Sequence, residues 1–196
     1  MMLIRFKPLA LVFSILLMSW AARAELYLEP YIGYGTSRVS VSNQTSQLSI
    51  LKTAYVGPAL GAKFGFFYDY LYLTFDFQTT FYNVSDQNSD SHLGSSNFGF
   101  GIGWDWNIPI RTFFTLDTTA TLKTSTGSIS GTGSRIGLSY YLDINTIISL
   151  IMQSSKGSVT DATNGTTDMS LSTTMITFSF PLEFVYPRVS WKERAR

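Results

Sequence analysis

The stretch Asn97-Phe-Gly-Phe-Gly-Ile-Gly-Trp-Asp-Trp106 decides the fold. Large apolar side chains occupy its even positions, whereas asparagine, glycine and aspartate occupy its odd positions. Side chains on a β-strand alternate between two faces, so the pattern predicts a strand with one aromatic face and one nearly bare face. A helix would mix the two sets, because its neighbours lie three and four residues apart. The bare face is too small and polar for a protein core, which indicates a transmembrane barrel that is apolar outside and polar inside.

Residues 1–24 have the parts of a secretory signal peptide. Arg5 and Lys7 precede an apolar run from Leu9 to Trp20, and Ala22-Arg23-Ala24 fits a cleavage site between small residues. The apolar run is shorter than the roughly 20 residues that a spanning helix needs. We therefore expect residues 25–186 to form the barrel and the basic residues 187–196 to form a periplasmic tail.

The composition excludes several classes of function. The chain has 14 basic and 13 acidic residues, and three of the basic ones lie in the first 24 positions, so the remainder is slightly acidic and lacks the basic face that nucleic acids require. It has no cysteine, which excludes disulfides, thiol chemistry and a lipid anchor on cysteine. Charged residues make up only 14% of the chain, against roughly 25% in soluble domains.

The alternation test predicts eight amphipathic strands after the signal peptide. They are Leu26–Tyr34, Ala54–Phe66, Leu71–Tyr82, Asn97–Trp106, Thr112–Lys123, Arg135–Asp143, Asn145–Gln153 and Leu171–Phe184. In the seventh, Ile147 and Ile151 interrupt the alternation. Long polar stretches and short turns connect the strands in turn, as in an outer-membrane meander whose turns are periplasmic and whose loops are external. The predicted fold is all-β: an eight-stranded antiparallel up-and-down transmembrane β-barrel.

Aromatic residues gather at the short-turn ends of the predicted strands. Those assigned to a girdle at the membrane interface are Phe66, Tyr68, Tyr70, Trp104, Trp106 and Tyr140. A soluble lipocalin-like barrel is the alternative, since alternation alone does not say which face is outside. Its water-exposed face should be rich in lysine and glutamate, whereas the polar face here is glycine, serine, threonine and tyrosine. The membrane barrel is therefore the better interpretation.

The signal peptide, the eight amphipathic strands and the loop rhythm resemble the small outer-membrane barrels of Gram-negative bacteria, namely the OmpA transmembrane domain and the OmpX/Ail group. The resemblance implies an outer-membrane location, contact with outer-membrane lipid and lipopolysaccharide, and handling by the outer-membrane insertion machinery. One feature departs from the pattern. Such barrels commonly end on an aromatic residue, whereas Phe184 and Tyr186 are followed here by Pro187 to Arg196.

Most charged residues of the predicted strands fall on the inward face: Glu29, Lys63, Asp76, Asp105, Asp117, Lys123, Arg135, Asp143 and Glu183. Eight strands leave a lumen that side chains fill, so these charges should pair. A hairpin centred on Tyr68-Asp69 places Lys63 opposite Thr74 and diagonal to Asp76, which predicts a Glu29–Lys63–Asp76 cluster. Removal of Lys63 is then expected to cost more stability than removal of either acid.

No catalytic constellation accompanies the barrel pattern. His92 is the single histidine, and its spacing to Ser95 and Ser96 does not match the histidine–serine pair of lipid A deacylase barrels. We therefore expect no enzymatic activity, no cofactor and no metal site. The expected role is structural or surface-interactive, with a lumen plugged by paired charges. A narrow channel for ions or small solutes is the alternative, and a lipid A-modifying enzyme is a third.

Overall fold

The computed structural model describes residues 25–43, 53–84, 92–106, 108–124, 127–143, 145–161 and 165–183. The strands in these ranges are β1 (Glu25–Asn43), β2 (Thr53–Tyr68), β3 (Leu71–Val84), β4 (His92–Asp105), β5 (Ile110–Thr124), β6 (Gly127–Asp143), β7 (Thr146–Asp161), β8 (Gly165–Ser179) and β9 (Leu182–Glu183). Among the described residues no helix is long and apolar enough to cross a membrane. The predicted signal peptide and basic tail lie outside the described residues.

The strands form one closed antiparallel barrel. Each strand from β2 to β8 pairs with its neighbour in sequence, and β1 closes the ring by pairing with both β2 and β8. The two-residue strand β9 resumes the path of β8 after Phe180 and Pro181 and also pairs with β1. Eight strands therefore surround the lumen, with β8 and β9 counted as one, and the predicted up-and-down fold is confirmed.

The register fixes a strong stagger of the strands. The line of paired residues runs through Glu29, Lys63, Asp76, Gly99, Asp117, Gly133, Ser155, Leu171 and Val39. It leaves β1 at Glu29 and returns to β1 at Val39, ten residues further along. A stagger of this kind means that the strands tilt by roughly 35–45° from the barrel axis. Each successive charged residue of this line therefore lies further from the short turns and closer to the long loops.

The strands extend well beyond the bounds that the sequence predicted. β1 continues to Asn43 and β7 to Asp161, so most of the polar stretches predicted as long loops are strand. The eight main strands have 14 to 19 residues, whereas roughly 9–11 suffice to cross a bilayer. The prediction was wrong because the end of an apolar outward face marks where a strand leaves the apolar environment, not where pairing stops.

The exterior changes character along the strands. Large exposed apolar side chains cover the half of the barrel nearest the short turns, which we call the apolar belt; one register row of it is Tyr34, Ile176, Leu150 and Leu138. Four residues toward the long loops, the corresponding row is Arg38, Ser172, Ser154 and Ser134. This comparison holds for β1, β8, β7 and β6. We refer to the part of the barrel whose outer wall is the apolar belt as the turn-side section, and to the part beyond the belt, toward the long loops, as the loop-side section.

A β-bulge in β5 accompanies this change. Gly99 pairs with Asp117 but Phe98 pairs with Thr119, so Thr118 is an extra residue and both threonines are exposed. Strict alternation along Thr112–Lys123 predicts that Ala120 and Leu122 face outward and Lys123 inward. The bulge instead turns Ala120 and Leu122 into the lumen and Lys123 to the outside. The same alternation predicts an inward Thr119, which is wrong for the same reason, since Thr119 is exposed. Strict alternation across the bulge was the false assumption.

Candidate functional site

The lumen is filled by side chains, and β3 gives the order in which they occur. Its inward residues, from the turn toward the loop, are Tyr72, Thr74, Asp76, Gln78, Thr80 and Tyr82. Tyr72 contacts Arg111, Asp76 contacts Arg135, Gln78 contacts Gln153, Thr80 contacts Ser95 and Tyr82 contacts Thr173. The interior thus passes from one arginine to a second, then to amides and hydroxyls, and finally to an apolar end.

Arg111 is the centre of the cluster nearest the turns. We call it the Arg111 cluster, and its members are Tyr27, Glu29, Lys63, Tyr72, Asp105, Arg111 and Tyr141. The Arg111 guanidinium donates to Glu29 Oε2 at 2.6 Å, to the Tyr27 hydroxyl at 2.6 Å, and to the hydroxyls of Tyr72 and Tyr141. Its carbon also lies 4.0 Å from the centre of the Tyr72 ring, within cation–π range. Arg111 is 2% exposed, so the cluster closes this end of the lumen.

Lys63 is held more loosely than Arg111. Its Nζ lies 3.5 Å from Glu29 Oε1 and 3.6 Å from the centre of the Phe113 ring. A void of about 10 Å³ adjoins Lys63, Arg111 and Phe113, enough for roughly one water molecule. Phe113 itself packs against Gly137 on the neighbouring strand, where a side chain would collide with its ring. This glycine lets a large ring fill the lumen between two charged layers.

Arg135 lies at the centre of the second cluster, further from the turns. The Arg135 cluster comprises Tyr31, Asp76, Gln78, Asp117, Arg135 and Gln153. Arg135 Nε donates to both oxygens of Asp117 at 3.0 and 3.1 Å, and Nη1 lies 3.0 Å from Asp76 Oδ1. The Tyr31 hydroxyl donates to Asp76 Oδ1 at 3.1 Å. One buried guanidinium therefore joins two carboxylates on different strands across the lumen.

A layer of amides and hydroxyls follows the Arg135 cluster. Gln78 Nε2 donates to Gln153 Oε1 at 2.8 Å, and Gln153 Nε2 donates to Ser155 Oγ at 3.1 Å. The hydroxyls of Thr80 and Ser95 lie 2.7 Å apart. Because these partners satisfy one another, the layer stays buried at low cost.

The lumen of the loop-side section is apolar. Val39, Tyr82, Leu122 and Leu171 form a buried cluster there, which we call the outer apolar cluster. Tyr55 and Met169 pack against it and are partly buried. Ile147 and Ile151 face the lumen of the turn-side section, near the start of β7. The interruption seen in the sequence is therefore an inward apolar residue at each of these positions rather than a break in the alternation.

The structure brings some of the predicted charge partners together and separates others. Glu29 and Lys63 are direct register partners and lie in contact. The predicted contact between Lys63 and Asp76 was wrong. The two residues lie directly opposite each other in the backbone register, but the Asp76 carboxylate binds Arg135. The predicted hairpin centre was also wrong: Tyr68 pairs with Leu71, and Asp69, with φ of 55°, lies in the turn between them.

The remaining predicted charges divide between the lumen and the surface. Asp105 is buried and accepts hydrogen bonds from the Tyr72 and Tyr141 hydroxyls, at 3.3 and 3.0 Å. Asp117 and Arg135 pair with each other. Asp143 is exposed beside a turn, so its predicted inward facing was wrong; the register shifts between Tyr141 and Asp143. The side chains of Glu183 and His92 lie outside the described residues.

Sequence reasoning missed Arg111, because the fifth strand was predicted to begin at Thr112. The strand begins at Ile110, and the alternation of Arg111, Phe113 and Thr115 against Ile110, Thr112 and Phe114 was the available signal. Alternation predicts that Tyr27, Tyr72 and Tyr141 face inward, but it does not predict their hydrogen bonds with Arg111. Among the described residues no group of three histidine, cysteine or acidic side chains could hold a metal ion.

The residues assigned to the aromatic girdle lie at the short-turn end of the barrel. Phe66, Trp104, Trp106 and Tyr140 are exposed on the outer wall, whereas Tyr68 and Tyr70 are partly buried. The Trp106 indole Nε1 donates to Thr112 Oγ1 at 3.0 Å. Their role at a membrane interface stays a prediction.

No protein-family model and no curated protein matches the chain in sequence. Solved structures match it in fold. Ail, the attachment invasion locus protein of Yersinia pestis, has a TM-score of 0.53 and 16% identity, covering 81% of this chain and 99% of that chain. Ail has also been solved in complex with the heparin analogue sucrose octasulfate.

Two further structures give the same result. The outer membrane protein OprG of Pseudomonas aeruginosa has a TM-score of 0.51 and 11% identity, over 83% of this chain and 98% of that chain. Neisserial surface protein A has a TM-score of 0.50 and 13% identity, over 79% and 97%. At such identities the likeness concerns the fold alone. The chain has the fold of the small bacterial outer-membrane β-barrels.

Proposed function

We propose that the protein is an outer-membrane barrel with a closed lumen, and that its role is structural or surface-interactive rather than conductive. One observation carries the proposal. Along β3 the lumen is occupied in succession by the Arg111 cluster, the Arg135 cluster, the amide layer and the outer apolar cluster. An ion entering from either end would have to displace buried, mutually bonded side chains.

The energetics of these layers argue against a narrow channel. A conducting filter holds an ion weakly enough for it to leave, whereas Arg111 and Arg135 are fixed cations at 1–2% exposure with their own carboxylates. Separating such a buried pair costs several kcal/mol, as an order of magnitude. Anions would compete with Glu29, Asp76 and Asp117, and cations would meet the guanidinium groups. The charges therefore act as internal braces between strands.

The proposed location rests on the apolar belt together with the fold. Exposed rings and aliphatic chains such as Phe75, Phe100, Ile136 and Phe178 would be costly in water but are stabilised by lipid hydrocarbon. Inside the wall, the carboxylates of Glu29, Asp76 and Asp117 are paired with buried guanidinium groups. A barrel of this kind belongs in the bacterial outer membrane, and the signal peptide expected over residues 1–24 would export the chain across the inner membrane first.

Planar-bilayer conductance of the purified, folded barrel tests the proposal. We expect no steady single-channel steps from the parent protein. A double variant, Leu122→Ala with Leu171→Ala, opens only the outer apolar cluster and should also remain silent, because both arginine clusters are intact. Steady unitary steps in the parent would contradict the closed lumen and favour the channel. Refolding is checked independently by the β-sheet circular dichroism of each sample.

We further propose that the loop-side exterior contacts lipopolysaccharide. Arg38, Lys123 and Lys156 are exposed on this wall, beyond the apolar belt, where phosphate groups of the outer leaflet would lie. The complex of Ail with a sulfated saccharide analogue is a precedent for anionic saccharide binding on this fold. Changing the three cations to glutamine should reduce the lipopolysaccharide that co-purifies at low salt. The matched control is Asp168→Asn, which removes an exposed acid on the same wall and should not reduce it.

Handling by the insertion machinery concerns residues 184–196, which lie outside the described ranges, and it stays a prediction.

A further inference from the structure

Two adjoining grooves lie on the outer wall of the turn-side section. The larger has a volume of about 600 Å³ and spans β3 to β7; the smaller has about 370 Å³ and spans β5 to β8. Leu138 and Leu150 line both grooves, and they are register partners on β6 and β7. The two leucines therefore form a ridge with one groove on either side.

The larger groove follows from one small residue in a row of large ones. The outward register row is Leu71, Trp104, Thr112, Leu138 and Leu150. Thr112 is partly buried between Trp104 and Leu138, and its short side chain leaves the depression. The groove crosses five strands, or about 19 Å at the usual strand spacing of roughly 4.8 Å.

The hydroxyls that line the grooves already have partners. Thr112 Oγ1 accepts from the Trp106 indole at 3.0 Å, in the larger groove. In the smaller groove, Ser139 and Ser149 are buried, and their hydroxyls lie 2.8 Å apart on the lumen side of the wall. The surfaces that remain are mainly the side chains of leucine, isoleucine, methionine, phenylalanine and tryptophan. Such a lining favours hydrocarbon over any polar ligand.

We propose that the ridge and its two grooves bind one diacyl phospholipid, with one acyl chain on either side of Leu138 and Leu150. This inference rests on the proposed membrane location. Two grooves on either side of one ridge match two chains joined at a headgroup. The grooves belong to the turn-side section, so the lipid comes from the periplasmic leaflet, which excludes the lipopolysaccharide of the outer leaflet. The headgroup lies at the level of the short turns.

Native mass spectrometry of barrel extracted from outer membranes in mild detergent tests the site. The parent should retain one phospholipid per chain. Thr112→Leu fills the depression, and each methylene that it displaces should weaken retention roughly four-fold. Thr79→Leu is the matched control: Thr79 is also an outward, partly buried threonine with a hydroxyl partner, Ser96 at 3.4 Å, but lies outside both grooves. It should retain lipid like the parent.

Three results would overturn the inference: no lipid on the parent, equal loss in the two threonine variants, or a lipid-free dimer that Thr112→Leu converts to monomer. The last would assign the grooves to a second copy of the chain. These results are distinguishable from failure of the proposed function, since recovery of the barrel in the soluble periplasmic fraction would remove the membrane location itself.

Discussion

The two sections of the barrel have opposite polarity. In the turn-side section the outer wall is apolar and the lumen holds the Arg111 and Arg135 clusters. In the loop-side section the outer wall carries serine, threonine and isolated charges, whereas the lumen holds Val39, Leu122 and Leu171. The first arrangement suits a bilayer and the second suits water. One continuous set of strands therefore changes from a membrane barrel to a soluble barrel along its length.

The bulge in β5 illustrates how a sequence can make this change. Phe114 and Leu116 are at even positions and face outward; Ala120 and Leu122 are also at even positions and face inward. The extra residue Thr118 reverses the facing just where the wall leaves the apolar belt. The apolar residues at even positions therefore face lipid before the bulge and the lumen after it.

The largest expected effect concerns the charged lumen. Arg135→Met leaves Asp76 and Asp117 buried without their shared cation, which should reduce the free energy of unfolding by roughly 3–5 kcal/mol. Urea unfolding in lipid vesicles, followed by the fluorescence of the three tryptophans after residue 24, measures this change in the free energy of unfolding. The triple variant with Asp76→Asn and Asp117→Asn should recover most of the loss. A single variant as stable as the parent would show that the cluster carries no stability.

A smaller effect is expected in the apolar lumen of the loop-side section. Leu122→Ala removes a buried side chain and should cost about 3 kcal/mol, because a cavity is left. Leu116→Ala is the control on the same strand: Leu116 is 55% exposed, lipid can fill its place, and the cost should stay below about 1 kcal/mol. The same unfolding assay gives both values. Equal costs at the two positions would remove the distinction between the two sections.

The smallest effect is expected at Lys63. Lys63→Met loses a 3.5 Å contact and the cation–π contact with Phe113, while Glu29 keeps Arg111 at 2.6 Å; the cost should be about 1–2 kcal/mol. Glu29→Gln leaves two cations without their carboxylate and should cost more. This order reverses the expectation from the sequence, which made Lys63 the key partner. A Lys63→Met variant less stable than Glu29→Gln would restore it.

The sequence predicted the strand count, the antiparallel order and the facing of most residues near the turns, because the alternation there is strict. It did not predict the length of the strands. Beyond the apolar belt both faces of β7 and β8 are rich in serine and threonine, so the two faces no longer differ in polarity and the alternation cannot be recognised in the sequence. Strand pairing continues there because backbone hydrogen bonds do not depend on that contrast.

The charge partners were predictable only in part. Glu29 and Lys63 lie on neighbouring strands, so counting residues along each strand from the same rim of the barrel was sufficient to bring them together. Arg111 reaches Glu29 across the lumen, from the far side of the barrel, and Arg135 reaches Asp76 in the same way. Such contacts depend on the closure of the barrel and on its stagger, the ten-residue shift from Glu29 to Val39 after one circuit of the register. A local sequence pattern contains neither.

The reversal of polarity is tested most directly by cysteine accessibility on β6, since the chain has no natural cysteine. Ile136 and Thr132 both face outward on this strand, four residues apart. Single variants Ile136→Cys and Thr132→Cys, reconstituted in vesicles, are treated with a membrane-impermeant maleimide, and modification is compared with that of each variant unfolded in detergent. The account predicts that Thr132→Cys reacts fully and Ile136→Cys is protected. Equal reaction at both positions, or protection of Thr132→Cys alone, would contradict it.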